Sequence, residues 1–333
     1  MFVTGISGSA VSDRVQEVVG EAKKHGHDVM VHDIGHIMYR YAKADDANVQ
    51  WDWILNADEI VRRMLRTRAF EHVARELKEH PTTLHIVDTH LSFRWYVYPT
   101  KGIEPTVLRD FEPYVRCFIN IIEDITKIQE RLKETSWGER HTRELLIWRE
   151  QELFLSDLLV EMCGRVSNYG IAAAEPPTEI ERIIWHPETR RVYLSFPITN
   201  IQQDEQARKE IETFRDEIRG FLVVFDPYAL KDYDETYKKL EMRPIQKEVG
   251  EATEDRDYRS INQAEGIVVY FPKRVPSKGV DAEMRHAKRT GRTIFLYCPE
   301  DLGGGPFSVK PDYYSPTREG LVAMLRQWAS QSH

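Results

Sequence analysis

The sequence predicts an α/β protein of two domains, each a parallel β-sheet sandwiched between helices. Three features predict it. Short apolar runs rich in β-branched residues alternate with longer stretches of helical spacing along the chain. Residues 256–301, RDYRSINQAEGIVVYFPKRVPSKGVDAEMRHAKRTGRTIFLYCPED, read as helix, strand, polar loop, helix, strand, so they contain a βαβ unit with parallel strands. The run Ala172-Ala173-Ala174-Glu175-Pro176-Pro177-Thr178 divides the alternation in two. The expected domains are 1–172 and 183–333, with a linker at 173–182; a chain of 333 residues suits two cores.

Taken in order, residues 1–5 form an apolar strand, and 13–25 a helix. Between them, Gly5-Ile6-Ser7-Gly8-Ser9-Ala10-Val11-Ser12 resembles a phosphate loop. The full pattern, G-x-x-x-x-G-K-[ST], is degenerate here, with Ala10 for the second Gly and Val11 for the Lys. Backbone N–H groups and the helix N-terminus can still hold an anion, but the charge that serves phosphoryl transfer is missing. A second strand spans 28–32, a helix 58–80, and a third strand 83–87, after which comes Asp88. An acid at a strand end suits a Mg²⁺-linked role or a cap. The strand 117–123 leads into a charged helical stretch with Arg131, Arg140, Arg143 and Arg149, helical to about 163.

In the second half, 183–192 suits a hairpin turning at His186-Pro187-Glu188-Thr189. A polar helix covers 204–219 and a strand 221–225, ending at Asp226-Pro227. The charged segment 229–254 reads as a lid or mobile loop. Strands follow at 266–271 and 293–298, flanking a helix at about 280–290; Gly303-Gly304-Gly305-Pro306 is a turn, and 317–330 a final helix.

The formal net charge of −8 argues against non-specific nucleic-acid binding. Against that balance, 273–292 is basic, with Lys273, Arg274, Lys278, Arg285, Lys288, Arg289 and Arg292 facing only Asp281 and Glu283. A local basic patch on an acidic chain suits a small anion. No apolar stretch is long enough to span a membrane, and no signal-peptide pattern opens the chain. Cys117, Cys163 and Cys298 lie in apolar runs without metal spacing, which fits reduced thiols and a cytoplasmic location. His32 and His36 straddle Gly35 at a strand end, so no structural metal is expected.

The chemistry concentrates around the βαβ unit. Ligands of open α/β sheets sit at the carboxyl ends of strands, here the loop 272–279 and the helix after it. Asp257 precedes the unit, and Glu283 follows Ser277 and Gly279 early in the second helix. A carboxylate at a helix N-terminus is stabilised as the anion and can attack an electron-poor carbon. Ser277 and the N–H groups after Gly279 can hold a phosphate. The plainer alternative is that Glu283 answers the helix dipole and Asp257 is a solvated acid.

The stretch Val192-Tyr193-Leu194, Asp257 with Ile261 and Glu265, and Pro276-Ser277-Lys278-Gly279-Val280-Asp281-Ala282-Glu283 resembles the nucleoside 2-deoxyribosyltransferase superfamily, in particular its nucleoside 5′-monophosphate N-glycosidases. The resemblance covers roughly 191–300. It implies a Rossmann- or flavodoxin-like domain in which Glu283 is the nucleophile at C1′, Asp257 assists proton transfer, and Tyr193 orients the nucleophile. It further implies that Ser277 contacts the 5′-phosphate, with Gly279, Pro197 and Asp226 completing the substrate contacts. The family's first strand usually runs into a Gly-containing turn. Here the turn reads Ser195-Phe196-Pro197-Ile198-Thr199, and Phe196 is expected to fill the space a smaller residue would leave.

The loop 5–12, the strand 84–88 followed by Thr89-His90, and the strand 119–124 leading into an Arg-bearing lid resemble adenylate kinase-like P-loop nucleotide kinases. That resemblance covers roughly 1–170. It implies a nucleotide-sensing domain holding ATP or ADP, with Mg²⁺, through Gly5, Gly8, Ser12 and Asp88; the plain alternative is a scaffold or dimerising domain. Together the resemblances imply a hydrolase of (deoxy)nucleoside 5′-monophosphates that needs no cofactor for base cleavage, assembles as a homodimer or larger homo-oligomer, and binds neither nucleic acid nor membrane. The alternatives are a deoxyribosyltransferase and a non-catalytic nucleotide sensor; an active kinase would need another cation in place of Val11.

Overall fold

A computed structural model gives the architecture. It describes the chain apart from residues 96–97, 134, 136–140, 165, 199–203, 231–245, 274, 276, 300–306 and 332–333. Thr199, Arg140, Arg274, Pro276, most of the expected lid at 229–254 and the turn at Gly303-Gly304-Gly305-Pro306 therefore lie outside the described residues. The protein is an α/β chain with two separable parallel-sheet sandwiches, Met1–Pro177 and Thr178–His333.

The first unit contains β1 (Phe2–Thr4), α1 (Val11–Lys24), β2 (Val29–Asp33), α2 (Ile34–Asp45), α3 (Trp51–Asn56), α4 (Glu59–Glu79) and β3 (Leu84–Asp88). An antiparallel pair, β4 (Ser92–Trp95) and β5 (Tyr98–Lys101), and the short α5 (Pro105–Leu108) follow. Next come β6 (Cys117–Ile122), α6 (Ile125–Leu132), α7 (Thr142–Met162) and β7 (Ser167–Ala172). The main sheet is parallel in the order β2-β3-β1-β6-β7. All six residues of β6 are buried, as expected of a strand covered by helices on both faces. Phe2 stacks on Phe118 at 4.9 Å, and Phe111 meets Phe2 and Phe70 edge-on.

The second unit is built from α8 (Pro177–Trp185), β8 (Arg191–Ser195), α9 (Glu205–Arg219), β9 (Val223–Phe225), α10 (Gln246–Asn262), β10 (Gly266–Tyr270), α11 (Lys278–Arg289), β11 (Thr293–Tyr297), β12 (Tyr313–Ser315) and α12 (Arg318–Ala329). Its sheet is parallel in the order β12-β11-β10-β8-β9. Phe214 stacks on Tyr270 at 4.4 Å, and Phe295 meets Trp328 edge-on. Gly266 fits closely at the head of β10. A Cβ there would lie 3.1 Å from the Thr293 carbonyl and 3.3 Å from the Trp328 ring.

Three expectations are corrected. Residues 183–185 belong to helix α8, not to a hairpin, because Ile180, Ile183 and Ile184 recur at helical spacing and are buried together. Residues 246–254 are the first half of α10, where a lid was expected. The strand β7 was not anticipated; its polar Ser167-Asn168 start and Gly170 weaken the strand signal. Among the described residues no helix is long and apolar enough to cross a membrane.

Candidate active site

Within the second unit, β9 lies on one side of β8 and β10 on the other. The strand order is thus 2-1-3-4-5 counted from β8, so the winding of the parallel sheet reverses between β8 and β10, the point at which such sheets bind ligands. Helix α11 starts from the end of β10. Ser277 is its N-cap, the hydroxyl accepting from the Val280 N–H at 3.4 Å. Gly279 leaves the helix head open, since a Cβ there would have no atom within 4 Å.

Glu283 lies one turn further along than its expected place at the helix head. The first-turn acid is Asp281, which accepts from the Ser308 N–H at 2.7 Å and pairs with Arg285 at 3.3 Å. Glu283 is held by β8. Tyr193 Oη donates to Glu283 Oε1 at 3.1 Å, and Ser195 Oγ donates to Oε2. Tyr193 and Ser195 are two residues apart on one strand, so their side chains leave the same face.

Electrostatics follow from this burial. Glu283 is half-buried at the cavity wall, and its pKa is pushed up from the ordinary 4.5 to about 7, first by lost hydration and then by the charge of Asp257; the two hydroxyls and Arg256 oppose the rise. The carboxyl is therefore not held ionised by the helix dipole. Lost hydration, Asp257 and Glu283 together lift the Tyr193 hydroxyl well above its ordinary range, so it stays a donor.

Asp257 comes from α10, where Arg256 Nη2 and Nε donate to its Oδ1 at 2.8 and 3.1 Å. Gly250, Glu254, Asp257 and Tyr258 share a face of α10, and with Gly279 and Glu283 of α11 they line a cavity of about 400 Å³. Lys278 and Arg285 bring positive charge to its wall. Tyr258 stacks on His286 at 4.1 Å and donates to Glu254 at 2.5 Å.

Ser195, Arg256, Glu254 and Tyr258 were not anticipated. Strand alternation from Tyr193 would have found Ser195, and helical spacing from Asp257 would have found Glu254. Pro197 is buried after β8 and does not line the cavity. Asp226 is also buried away from it, paired with Arg215 at 3.0 Å and capping the Tyr228 N–H at 2.8 Å. Phe196 turns into the apolar core and stacks on Tyr228 at 5.0 Å, so it does not fill the cavity.

In the first unit, the loop after β1 lies between the carboxyl ends of β3 and β6. Gly8 and Ala10 have φ of 86° and 58°, which gives the loop two left-handed residues before α1. Val11 is buried. Ser12 Oγ donates to Asp88 Oδ2 at 2.7 Å, and burial raises the Asp88 pKa. A cation does reach the loop. Arg131 of α6 donates to the Gly8 carbonyl at 2.8 Å and pairs with Glu123 at 2.9 Å. Arg149 is buried, and Arg143 is exposed on α7. Ser12 and Asp88 also line a cavity of about 250 Å³ with Asp33, Trp51, Arg66 and Phe93. Among the described residues no group of three or more His, Cys, Asp or Glu side chains is arranged to hold a metal ion.

No family model matches the chain, and no curated protein matches it. Among solved structures, the chain is similar to a gluconokinase from Sinorhizobium meliloti at 14% identity and a TM-score of 0.29, covering 54% of this chain and 86% of that one.

The raised pKa of Glu283 has a consequence for stability. Between pH 4.5 and about 7 the folded chain holds a proton that the unfolded chain has released, so stability falls as pH rises through that window. Glu283→Gln does not titrate. It should stabilise the second unit by about 2–3 kcal/mol at pH 8 and far less at pH 5, measured by denaturant unfolding at both values. Equal effects at the two pH values would show that Glu283 does not titrate between them.

Proposed function

We propose that the second unit cleaves the N-glycosidic bond of (deoxy)nucleoside 5′-monophosphates, and that its fold is of the deoxyribosyltransferase kind. One observation carries this: a half-buried carboxyl, held by two hydroxyls beside a second carboxylate, lines a cavity between α10 and α11. An Oε of Glu283 attacks C1′ as the C1′–N bond breaks, and the electron pair leaves with the base. Below about pH 7 Glu283 holds a proton; that proton moves to Asp257, which frees the Glu283 oxygen for attack, and Asp257 passes it to the departing base nitrogen. Water then attacks C1′, the ester to Glu283 breaks, and Asp257 takes the water's proton. The oxocarbenium-like state lies between two acids.

Free base should appear when the chain is incubated with nucleoside monophosphates, and Glu283→Gln should abolish it. Asp257→Asn should lower turnover roughly 10²–10⁴-fold. Because the reactive pair holds one proton, turnover should fall as pH rises through about 7. A rate that climbs through pH 7 and stays level would remove the proton from the mechanism. An added acceptor base trapped as a new nucleotide would make the reaction a transfer.

Ser277 is proposed as the phosphate contact, with Lys278 and Arg285 supplying charge nearby. Aspartate caps helices as well as serine, so Ser277→Asp keeps α11 while setting like charge against the phosphate. Use of monophosphates should weaken by on the order of 2–5 kcal/mol, and use of nucleosides much less. An equal loss for both substrates would free Ser277 of the role.

We further propose that the first unit, of P-loop kinase-like fold, binds ADP or ATP with Mg²⁺ and regulates the second. The Ser12–Asp88 pair at the head of α1 fits a Mg²⁺-linked phosphate, with Gly5 and Gly8 in the cradle. Bound there, Mg²⁺ would neutralise phosphate charge. Val11 supplies no cation, which favours binding over phosphoryl transfer. Titration calorimetry of the full chain with Mg²⁺ and ADP should give an isotherm that weakens about tenfold in Ser12→Ala. No heat with either nucleotide would leave this unit a scaffold.

A further inference from the structure

Helix α7 buries one side in the first unit, through Leu145, Trp148, Glu152, Leu153 and Leu159. Its other side carries Ile147, Phe154, Leu158 and Met162, exposed by 43%, 66%, 43% and 44%. These four recur at intervals of seven, four and four, which places them in one stripe along the helix. The stripe runs about 22 Å. It exposes on the order of 400 Å² of apolar side chain, a size that marks interaction surfaces. The charges at its ends differ. Exposed Arg143 flanks the N-terminal end, and exposed Glu161 flanks the C-terminal end on the same edge.

We propose that this stripe is the docking surface for a second copy of the chain, with the two α7 helices packed antiparallel across a twofold axis that crosses between residues 152 and 153. In that arrangement Ile147 of one copy faces Leu158 of the other, and Phe154 lies near the axis beside its counterpart. In antiparallel helix pairs, flanking residues on one edge meet the same edge of the partner helix. Arg143 of each copy therefore meets Glu161 of the other. A parallel pair would place the two Arg143 on opposite sides of the seam and leave them without Glu161 across it, so only the antiparallel pair makes the charges complementary. The area also suits a second copy. A stable interface buries about 800 Å² per partner, and the apolar stripe supplies roughly half of it before any polar rim is counted. A twofold contact uses one patch twice, so a self-complementary stripe needs no other surface to close.

Sedimentation equilibrium of the full chain should show a reversible monomer–dimer equilibrium. Phe154→Glu should raise the dissociation constant at least about tenfold, with the far-ultraviolet circular dichroism unchanged because the side chain is exposed. Arg143→Glu alone should weaken the dimer. Combining Arg143→Glu with Glu161→Arg should restore it, since the exchanged charges still meet across the antiparallel pair. A chain that stays monomeric at all concentrations, or a dimer indifferent to Phe154→Glu, would overturn the proposal. Loss in Arg143→Glu without rescue by the double exchange would overturn the antiparallel pairing.

Discussion

A buried carboxyl group must find donors or give up its charge, and each unit builds the carboxyl end of its sheet around one. In the first unit it is Glu152. It accepts from Thr4 at the end of β1, from the Leu91 and Ser92 N–H groups at 2.7 Å, and from Ser92 Oγ at 2.6 Å. Those bonds tie a strand end, the connection after β3 and α7 to one side chain. In the second unit it is Glu283, which accepts from two hydroxyls. Burial raises the pKa of both acids. Glu152, enclosed by four donors, serves as an anchor. Glu283 has two donors, a carboxylate neighbour and a cavity, and that difference is what the proposed reactive role of Glu283 rests on.

The lone pairs make the same point. A carboxylate offers about four acceptor sites. Tyr193 and Ser195 take one on each oxygen of Glu283, which fixes the plane of the group and leaves a lone pair on each oxygen. Tyr193 cannot ionise near neutral pH and so remains a donor whatever the state of its partner. Arg256 works on the other acid. It donates to Asp257 Oδ1 at 2.8 Å, and the charge of Asp257 in turn raises the pKa of Glu283.

Much of the fold was legible in the sequence because the central strands are continuous apolar runs. Residues 266–271 and 293–298 have no competing helical reading, and Pro272 and Gly291 punctuate the segment between them. Legibility failed where two patterns overlap. Ile183 and Ile184 suit a strand when read alone, yet with Ile180 they complete a helical face, and α8 buries all three. In the site, Glu283 and Tyr193 could be singled out from local motifs, and alternation would have added Ser195. Asp226 was misread because its partner, Arg215, lies eleven residues upstream on α9, and no local rule reports such a pair. Phe196 was misread for a related reason: sequence locates a side chain beside a cavity but does not say which way it turns.

The two sites also carry their costs differently. At the loop after β1, the cost is in the backbone. Ala10 sits at φ 58°, a left-handed conformation that costs a residue with a Cβ roughly 1–2 kcal/mol. No side chain caps α1 from that position, but the Ala10 carbonyl accepts from the Arg14 N–H at 3.0 Å and the Ile6 carbonyl from the Ser9 N–H at 3.0 Å. What the conformation does is turn the chain so that Ser12 reaches Asp88 while Val11 goes into the core. At Glu283 the cost is electrostatic and falls on a single side chain. A backbone cost is the same at every pH, whereas the cost at Glu283 grows as its proton is withdrawn. The second unit holds a group whose charge changes with pH, which is what the proposed attack on C1′ and release of the sugar would require.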